Sequence, residues 1–229
     1  MSAKPTIELE FSRKYDDAHS RQYFLKHQDG LARRLSNWRD QQLARQALKA
    51  AGEPGLVLDL PCGAGRFWSL LAEKPNRVIL AADNSSDMIQ VARQCQPPEV
   101  VARVHAFQTS AFAIDLDDAA VDSIFSMRLL HHIAEPEHRL AMLREFHRVT
   151  RDTVIVSLWV DGNIKSWRRK RLERQRAARG GKGENANRFV VARSQIESEF
   201  SSAGFTIVDR HDFLPGYAMW RVYTLRKSV

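Results

Sequence analysis

Residues Leu56 to Phe67 read LVLDLPCGAGRF, and this stretch limits the possible folds of the chain more tightly than any other. A short apolar run closed by Asp59 predicts a buried strand that ends in a carboxylate. Gly63 and Gly65 predict a tight turn, and the residues from Arg66 to Ala72 predict an apolar helix behind it. A strand, a glycine turn and a helix N-terminus in succession bring backbone N–H groups to one small point, where an anionic or nucleoside-type ligand is held. Glycine suits that point because a Cβ would block the turn and keep a ligand off the backbone.

The chain around this stretch alternates strand and helix. Residues 1–10 read as a loose arm, and from Tyr15 to Ala51 apolar residues (Tyr23, Phe24, Leu31, Leu35, Trp38, Leu43, Ala47, Leu48) recur at helical spacing until Gly52 to Gly55 stop it. Arg77 to Asp83 (RVILAAD) predicts a second buried strand, again ending in a carboxylate. Ser85 and Ser86 offer an N-cap to a helix carrying Met88, Ile89 and Val91. Pro97 and Pro98 break that helix, and Val100 to Phe107 predicts the third strand, followed by a short turn at Thr109 to Ala113. Val121 to Met127 predicts the fourth strand and Thr153 to Val160 the fifth, with RLLHHI and a helix from Glu137 to Val149 between them. Apolar strands joined by helices imply a parallel sheet covered on both faces, with ligands outside the carboxyl ends of the strands. Asp59 and Asp83 then point toward one crevice.

The tail breaks the alternation. Ile164 to Ala178 reads as a helix followed by the glycines 180, 181 and 183, and Ser194 to Ala203 as an amphipathic helix closed by Gly204. Phe205 to Phe213 and Tyr217 to Leu225 predict an antiparallel pair joined through Pro215 and Gly216. The expected organisation is one domain: a helical lid region 1–52, a ligand-binding core 53–160, a basic insertion 161–192, and a closing helix and hairpin 193–229.

Charge falls unevenly on this plan. The net charge is +8, and Lys165 to Lys182 holds nine Lys and Arg residues against the single acid Glu173, enough to account for the whole excess. A local basic patch, with Lys165, Arg168, Arg169 and Arg171 at its start, points to an anionic partner: nucleic acid, a phosphorylated glycan, lipid or small molecule. The competing reading is a solvated loop without a specific partner. No apolar run approaches the roughly 18–20 residues that span a bilayer, and the first residues lack a signal-peptide pattern. Cys62 and Cys95 have no metal-type spacing and suit a reducing cytoplasm. Cys62 reads as a small turn residue rather than a nucleophile, and no cluster predicts a metal site.

Taken together, LVLDLPCGAGRF, ILAADNSSDMIQVAR, VHAFQTSAFAIDL and VDSIFSMRLLHHI resemble, in order and spacing, the class I S-adenosylmethionine-dependent methyltransferases. The resemblance covers roughly Leu56 to Val160, and FVVARSQIESEFSSAGFTIVD is similar to the closing helix, glycine and hairpin of the family. It implies a Rossmann-like, doubly wound α/β sheet of seven strands, mostly parallel with an antiparallel C-terminal hairpin. It also implies S-adenosylmethionine as cofactor. Carried over by position, Asp59, Pro61, Cys62, Gly63 and Gly65 shape the methionine end, and Asp83 holds the ribose, flanked by Asn84 and Met88. Ser110, Ala111 and Phe112 lie beside adenine, and Met127 and Arg128 meet the amino-acid part. Two positions depart from the family pattern. Pro61 replaces a glycine and offers no N–H, and Ser110 replaces an acid.

Methyl transfer needs alignment and exclusion of water more than it needs reactive side chains. An oxygen acceptor that must lose a proton also needs a base, for which His131 and His132 are the candidates, with packing as their alternative role. Tyr15, Tyr23 and Trp38 are candidates to close over the cofactor, and Trp159 and Trp167 to line the acceptor site. The leading expectation is O-methylation of an anionic acceptor docked on the basic insertion. The alternative is RNA, since the insertion and the Arg188–Phe189 pair are loosely similar to transfer-RNA wobble-uridine methyltransferases. A third reading, from another class, is a non-catalytic protein that binds a nucleotide or a protein partner through the basic helix.

Overall fold

A computed structural model of the chain describes residue 7, residues 30–178 and residues 187–228, with side chains described outside 176–178. Its centre is β1 (Leu56–Asp59), whose last three residues are almost wholly buried. Parallel neighbours flank it: β2 (Val78–Asp83) on one side and β4 (Val121–Ser126) on the other. β3 (Val104–Gln108) continues the parallel sheet beyond β2, and β5 (Thr150–Val160) continues it beyond β4. The strand β6 (Val190–Val191) pairs briefly with the end of β5, while β7 (Phe205–Asp212) and β8 (Trp220–Lys227) form an antiparallel pair. The order across the sheet is β3-β2-β1-β4-β5-β8-β7. The expected α/β architecture is therefore present, with the two-residue β6 added to the seven expected strands.

Helices cover both faces. α1 (Leu31–Ala50) and α2 (Trp68–Leu71) lie on one, where Leu43, Ala47, Leu48, Leu70 and Leu71 pack with Phe125, Ile155 and Val222. α5 (Pro136–Val149) and α7 (Arg193–Ser202) lie on the other, where Met142, Phe146, Ile196 and Phe200 meet Val154, Val156, Leu158 and Tyr223. The two-residue period of β5 divides the faces: Ile155 joins the first cluster, and Val154 and Val156 join the second. Each such buried Val, Leu, Ile, Met or Phe side chain stabilises the fold by about 1.5–3 kcal/mol. Arg139 and Glu199, both buried, tie α5 to α7 through two hydrogen bonds of 2.6 and 2.8 Å.

Local chemistry explains most element boundaries. Ser85 caps α3 (Ser86–Cys95) by accepting from the Met88 amide at 3.3 Å. Val100 and Val101, expected in the third strand, belong instead to α4 (Pro98–Val101). Pro98 at its first turn has a preset φ, so Pro97-Pro98 starts a helical turn as well as ending α3, and pairing with β2 begins only at Val104. The helix behind the glycine turn is also shorter than expected, four residues beginning at Trp68. α6 (Ile164–Ala178) starts on a reciprocal cap: Asn163 Oδ1 accepts from the Ser166 amide at 2.9 Å, and the Ser166 hydroxyl accepts from the Asn163 amide at 3.3 Å. The helical pattern from Tyr15 onward is seen from Leu31, and Tyr15 and Tyr23 lie outside the described residues. Leu31, Leu35 and Trp38 are exposed; burial on α1 begins at Asp40.

Candidate active site

The chain runs outward from β1 to β2 and β3, then returns to β4 on the other side of β1. In a sheet of this order the ligand crevice is expected at that reversal, beyond the carboxyl ends of β1 and β4. Asp59 ends β1 and is 1% exposed, with Oδ2 buried and without a hydrogen-bond partner. Burial pushes its carboxyl well above the usual range, and the neighbouring Asp83 adds to the effect. The Trp68 indole lies near enough to ease this, but its Nε1 also lacks a partner, so the geometry of a hydrogen bond is not reached.

Asp83 ends β2 and is locked by backbone. Its Oδ2 accepts from the Gly63 amide at 2.9 Å and its Oδ1 from the Ser85 amide at 3.0 Å. Burial raises its pKa, and these amides work against that rise. A carboxylate oxygen has more than one acceptor site, so both oxygens keep capacity for a ligand's hydroxyls. Gly63 has φ +51, and a Cβ there would meet open space. Gly65 has φ +72, but a Cβ there would come within 2.9 Å of Gln96 and Trp68. The first glycine thus leaves an approach to the backbone open, and the second is required by packing. The amide of Cys62 is used by Ala82 O at 2.8 Å, and Pro61, joined to Leu60 by a cis peptide, has none. The Cys62 thiol is pushed well up by burial and by Asp83 and Asp59, which keeps it protonated.

The flanking positions follow. Met88 is buried in α3, and Asn84 is exposed, its carbonyl accepting from Gln108 at 2.8 Å. The Ser110 hydroxyl is turned back onto its own loop, accepting from the Phe112 amide at 3.2 Å; Ala111 is buried, and Phe112 is half-buried against the core. Met127 packs in the α1-side core, whereas Arg128 takes a left-handed backbone (φ +66) and gives its amide to Ser157 Oγ at 2.8 Å.

Arg128 also begins a second, positively charged half of the crevice. Its guanidinium reaches the buried Asp40 of α1, which binds Arg66 as well, at 2.6 Å. The same guanidinium lies 4.8 Å from the ring of Trp220. Trp220 is the direct cross-strand partner of Trp159, with ring centroids 5.6 Å apart. His131 is buried against both indoles and against His132, at centroid distances of 5.3, 4.7 and 4.0 Å. Arg169 of α6 and Arg188 stand 5.0 and 5.9 Å from the Trp159 ring, and Arg169 donates to the Arg188 carbonyl at 2.8 Å. The stretch before β6 is stitched on by Phe189 N–H to His131 O (2.7 Å) and by His132 Nδ1 against Asn187 O (2.7 Å), which assigns the proton to Nδ1. Both histidines have lowered pKa values, His131 strongly. Burial is the main cause for each, with the His132 ring and the arginines adding to it at His131, so both rings are neutral.

Of the expected basic residues, only Arg169 turns toward this cluster. Lys165, Arg168 and Arg171 are exposed, and Arg171 lies over the exposed Trp167 at 5.7 Å. Asp40, Trp68, Ser157 and Trp220 were not expected. Trp220 sits in an apolar run whose register against β5 no local pattern reveals, and Asp40 reads in sequence as an ordinary exposed helix acid. Among the described residues, no group of His, Cys, Asp or Glu is placed to hold a metal ion, and no helix is long and apolar enough to cross a membrane.

The negative half of the crevice fits a ligand with a cationic end and hydroxyls. Asp59 supplies an unpartnered buried carboxylate, Asp83 an amide-held one, and Gly63 an open approach. That fold and that arrangement define a class I S-adenosylmethionine-dependent methyltransferase domain. Residues 57–153 match the family model described as a methyltransferase domain, and that segment is a class I methyltransferase core whose cofactor is S-adenosylmethionine. The tRNA (carboxymethyluridine(34)-5-O)-methyltransferase of Macaca fascicularis is 26% identical over 153 residues, 66% of this chain and 22% of that protein. A tRNA U34 carboxymethyltransferase of Shewanella frigidimarina is 32% identical over 114 residues, 47% of this chain and 32% of its own length. The chain thus spans a third or less of these relatives. In fold it is similar to the S-adenosylhomocysteine-bound magnesium protoporphyrin IX methyltransferase of Synechocystis PCC 6803 (TM-score 0.70, 18% identity, 93% of this chain and 100% of that one).

Proposed function

We propose that this chain transfers a methyl group from S-adenosylmethionine to an anionic oxygen carried by a nucleotide of RNA, transfer RNA first among the candidates. The observation that carries this reading is the convergence of Arg128, Arg169 and Arg188, from three separate segments, on the paired indoles Trp159 and Trp220. Guanidinium forks match a carboxylate, and indole faces accept a nucleobase laid against them. The two tRNA-directed relatives support the choice of RNA over a phosphorylated glycan, lipid or small molecule, the first expectation from sequence. One is named for carboxymethyluridine and O-methylation, a name that joins a carboxyl group to a uridine.

Asp59 would hold the cationic amino end of the cofactor and Asp83 its ribose hydroxyls, with Met88 and Phe112 beside the adenosine. When bound, S-adenosylmethionine supplies a methyl group already activated on a sulfonium. A carboxylate acceptor is ionised at neutral pH, so the chain's task is to position it. Arg169 and Arg188 orient the acceptor, while Trp159, Trp220 and neutral His131 exclude water around it. In this reading His131 and His132 form a wall and no base is required. Such a reaction on transfer RNA suits a protein of the cytoplasm.

Tritium-labelled cofactor offered with separate cellular fractions (transfer RNA, other RNA, lipid, polysaccharide, small acids) tests the proposal. Alkali-labile label in transfer RNA is expected, because carboxylate methyl esters hydrolyse in base. Alkali-stable label would remove the carboxylate, and label confined to a fraction without RNA would remove the nucleic acid.

A further inference from the structure

The outer face of α6 carries a second aromatic and cationic surface that the crevice does not use. The helix commits its inner face to the protein: Ser166 is buried in the cap, and Arg169 turns to Trp159 and pairs with Glu173 at 2.7 Å. Two residues before Arg169, and so about 160° round the helix from it, Trp167 is 59% exposed, with Arg171 one turn later lying 5.7 Å from its ring. Beside the same first turn, the loop between β7 and β8 presents Tyr217, 40% exposed, with Lys165 at 5.2 Å from its ring. The loop is fixed to the helix by the amides of Ile164 and Lys165, which donate to the carbonyls of Gly216 and Tyr217 at 3.0 Å each. Among the described residues, Lys165, Arg168 and Arg171 form no ion pair with an acid.

We infer that Trp167 and Tyr217 are stacking platforms for nucleotides that flank the target in a single-stranded segment of RNA, with Lys165, Arg168 and Arg171 neutralising their phosphates. This deepens the proposed function and rests on it for the identity of the acceptor strand. Three observations favour RNA. Each exposed ring already carries a cation, so a base that takes the ring face leaves that cation beside its own phosphate. The charge of the segment is almost entirely of one sign. The exposed Ile164, Trp167 and Leu172 are interrupted by Arg168 and Arg171, so no continuous apolar stripe is available to enter a lipid surface. Arg169, one residue past Arg168, links the platform to the crevice, so that a strand stacked outside delivers its next nucleotide inward.

Fluorescence anisotropy of a labelled anticodon stem-loop RNA, with the full chain at low salt, tests this without any methyl transfer. Trp167→Ala and Tyr217→Ala are each expected to weaken binding by about 5- to 100-fold, with Trp167→Phe keeping most of the affinity. Arg171→Gln should flatten the salt dependence by about one phosphate contact. All four variants should bind S-adenosylhomocysteine as the parent does, which shows that they are folded. Unchanged RNA binding by both alanine variants would overturn the platform, as would tighter binding to anionic phospholipid vesicles than to the RNA. Platform-dependent binding without methylation of any RNA would keep the platform and remove the proposed reaction. Methylation of transfer RNA that ignores Trp167 and Tyr217 would do the reverse.

Discussion

The two halves of the crevice are built from opposite chemistries. At the ends of β1 and β2 stand two buried carboxylates, a glycine turn and backbone amides; at the ends of β4, β5 and β8 stand guanidiniums, two indoles and neutral imidazoles. The first half is local, since Asp59, Gly63 and Asp83 lie within two consecutive strand–helix units. The second half is assembled from segments that are distant in sequence. The proposed function divides the labour accordingly, with the sulfonium cofactor and its ammonium in the negative half and the anionic acceptor in the positive half. Asp40 joins them by binding Arg66, next to the glycine turn, and Arg128, in the positive half.

The two halves are most vulnerable at that joint. Asp40→Ala leaves two guanidiniums without their buried partner and is expected to cost about 3 kcal/mol of stability, read as a fall in the urea midpoint. Both cofactor and acceptor binding should weaken. If only one half responds, the two are not coupled through Asp40.

Asp83→Ala should separate the halves cleanly. Loss of the ribose grip is expected to weaken S-adenosylhomocysteine binding by about 100-fold in calorimetry, with RNA affinity within twofold of the parent. Arg169→Gln is the mirror experiment. It should lower kcat/KM for RNA methylation by about tenfold while leaving calorimetric cofactor binding in place. An equal loss in both assays would show that Arg169 supports the fold rather than the acceptor.

The smallest effect is a pH dependence to which the histidines of the positive half contribute. His131 and His132 titrate below the ordinary histidine value when folded. The unfolded chain therefore takes up protons first as pH falls, and stability drops below the ordinary value of about 6.5. Between about pH 7.5 and 5.5 the His131 contribution should be about 1 kcal/mol, and His131→Asn should shrink the difference in urea midpoints. Over about pH 7 to 9 the methylation rate should stay flat, because a carboxylate acceptor is already ionised there. A rate that rises through that range would point to an acceptor that must lose a proton.

Much of the negative half is legible in the amino-acid sequence. A strand that ends in an acid, a glycine turn and a second acid-ended strand occupy fixed distances along one chain, and the parallel sheet follows from their apolar runs. The spacing does not reveal that Gly63 and Ser85 hold Asp83 by its two oxygens, or that the Ser110 hydroxyl turns back to its own loop. Those are choices of side-chain direction among competing local partners. Val100 and Val101 mislead because two prolines favour a helical turn more strongly than two β-branched residues favour a strand.

The sheet, the cofactor turn and the excess of charge in the insertion are readable along the chain, because each rests on neighbours in it. The positive half depends on packing between distant segments. Only the antiparallel register of β5 and β8 sets Trp159 against Trp220, and only the seating of α6 and of the stretch before β6 brings Arg169 and Arg188 over the same ring. Tertiary structure also decided that Asp40, an unremarkable acid on a helix, is buried between two arginines. Pairings of this kind are fixed by how distant surfaces pack, and their partners leave no periodic trace in either segment.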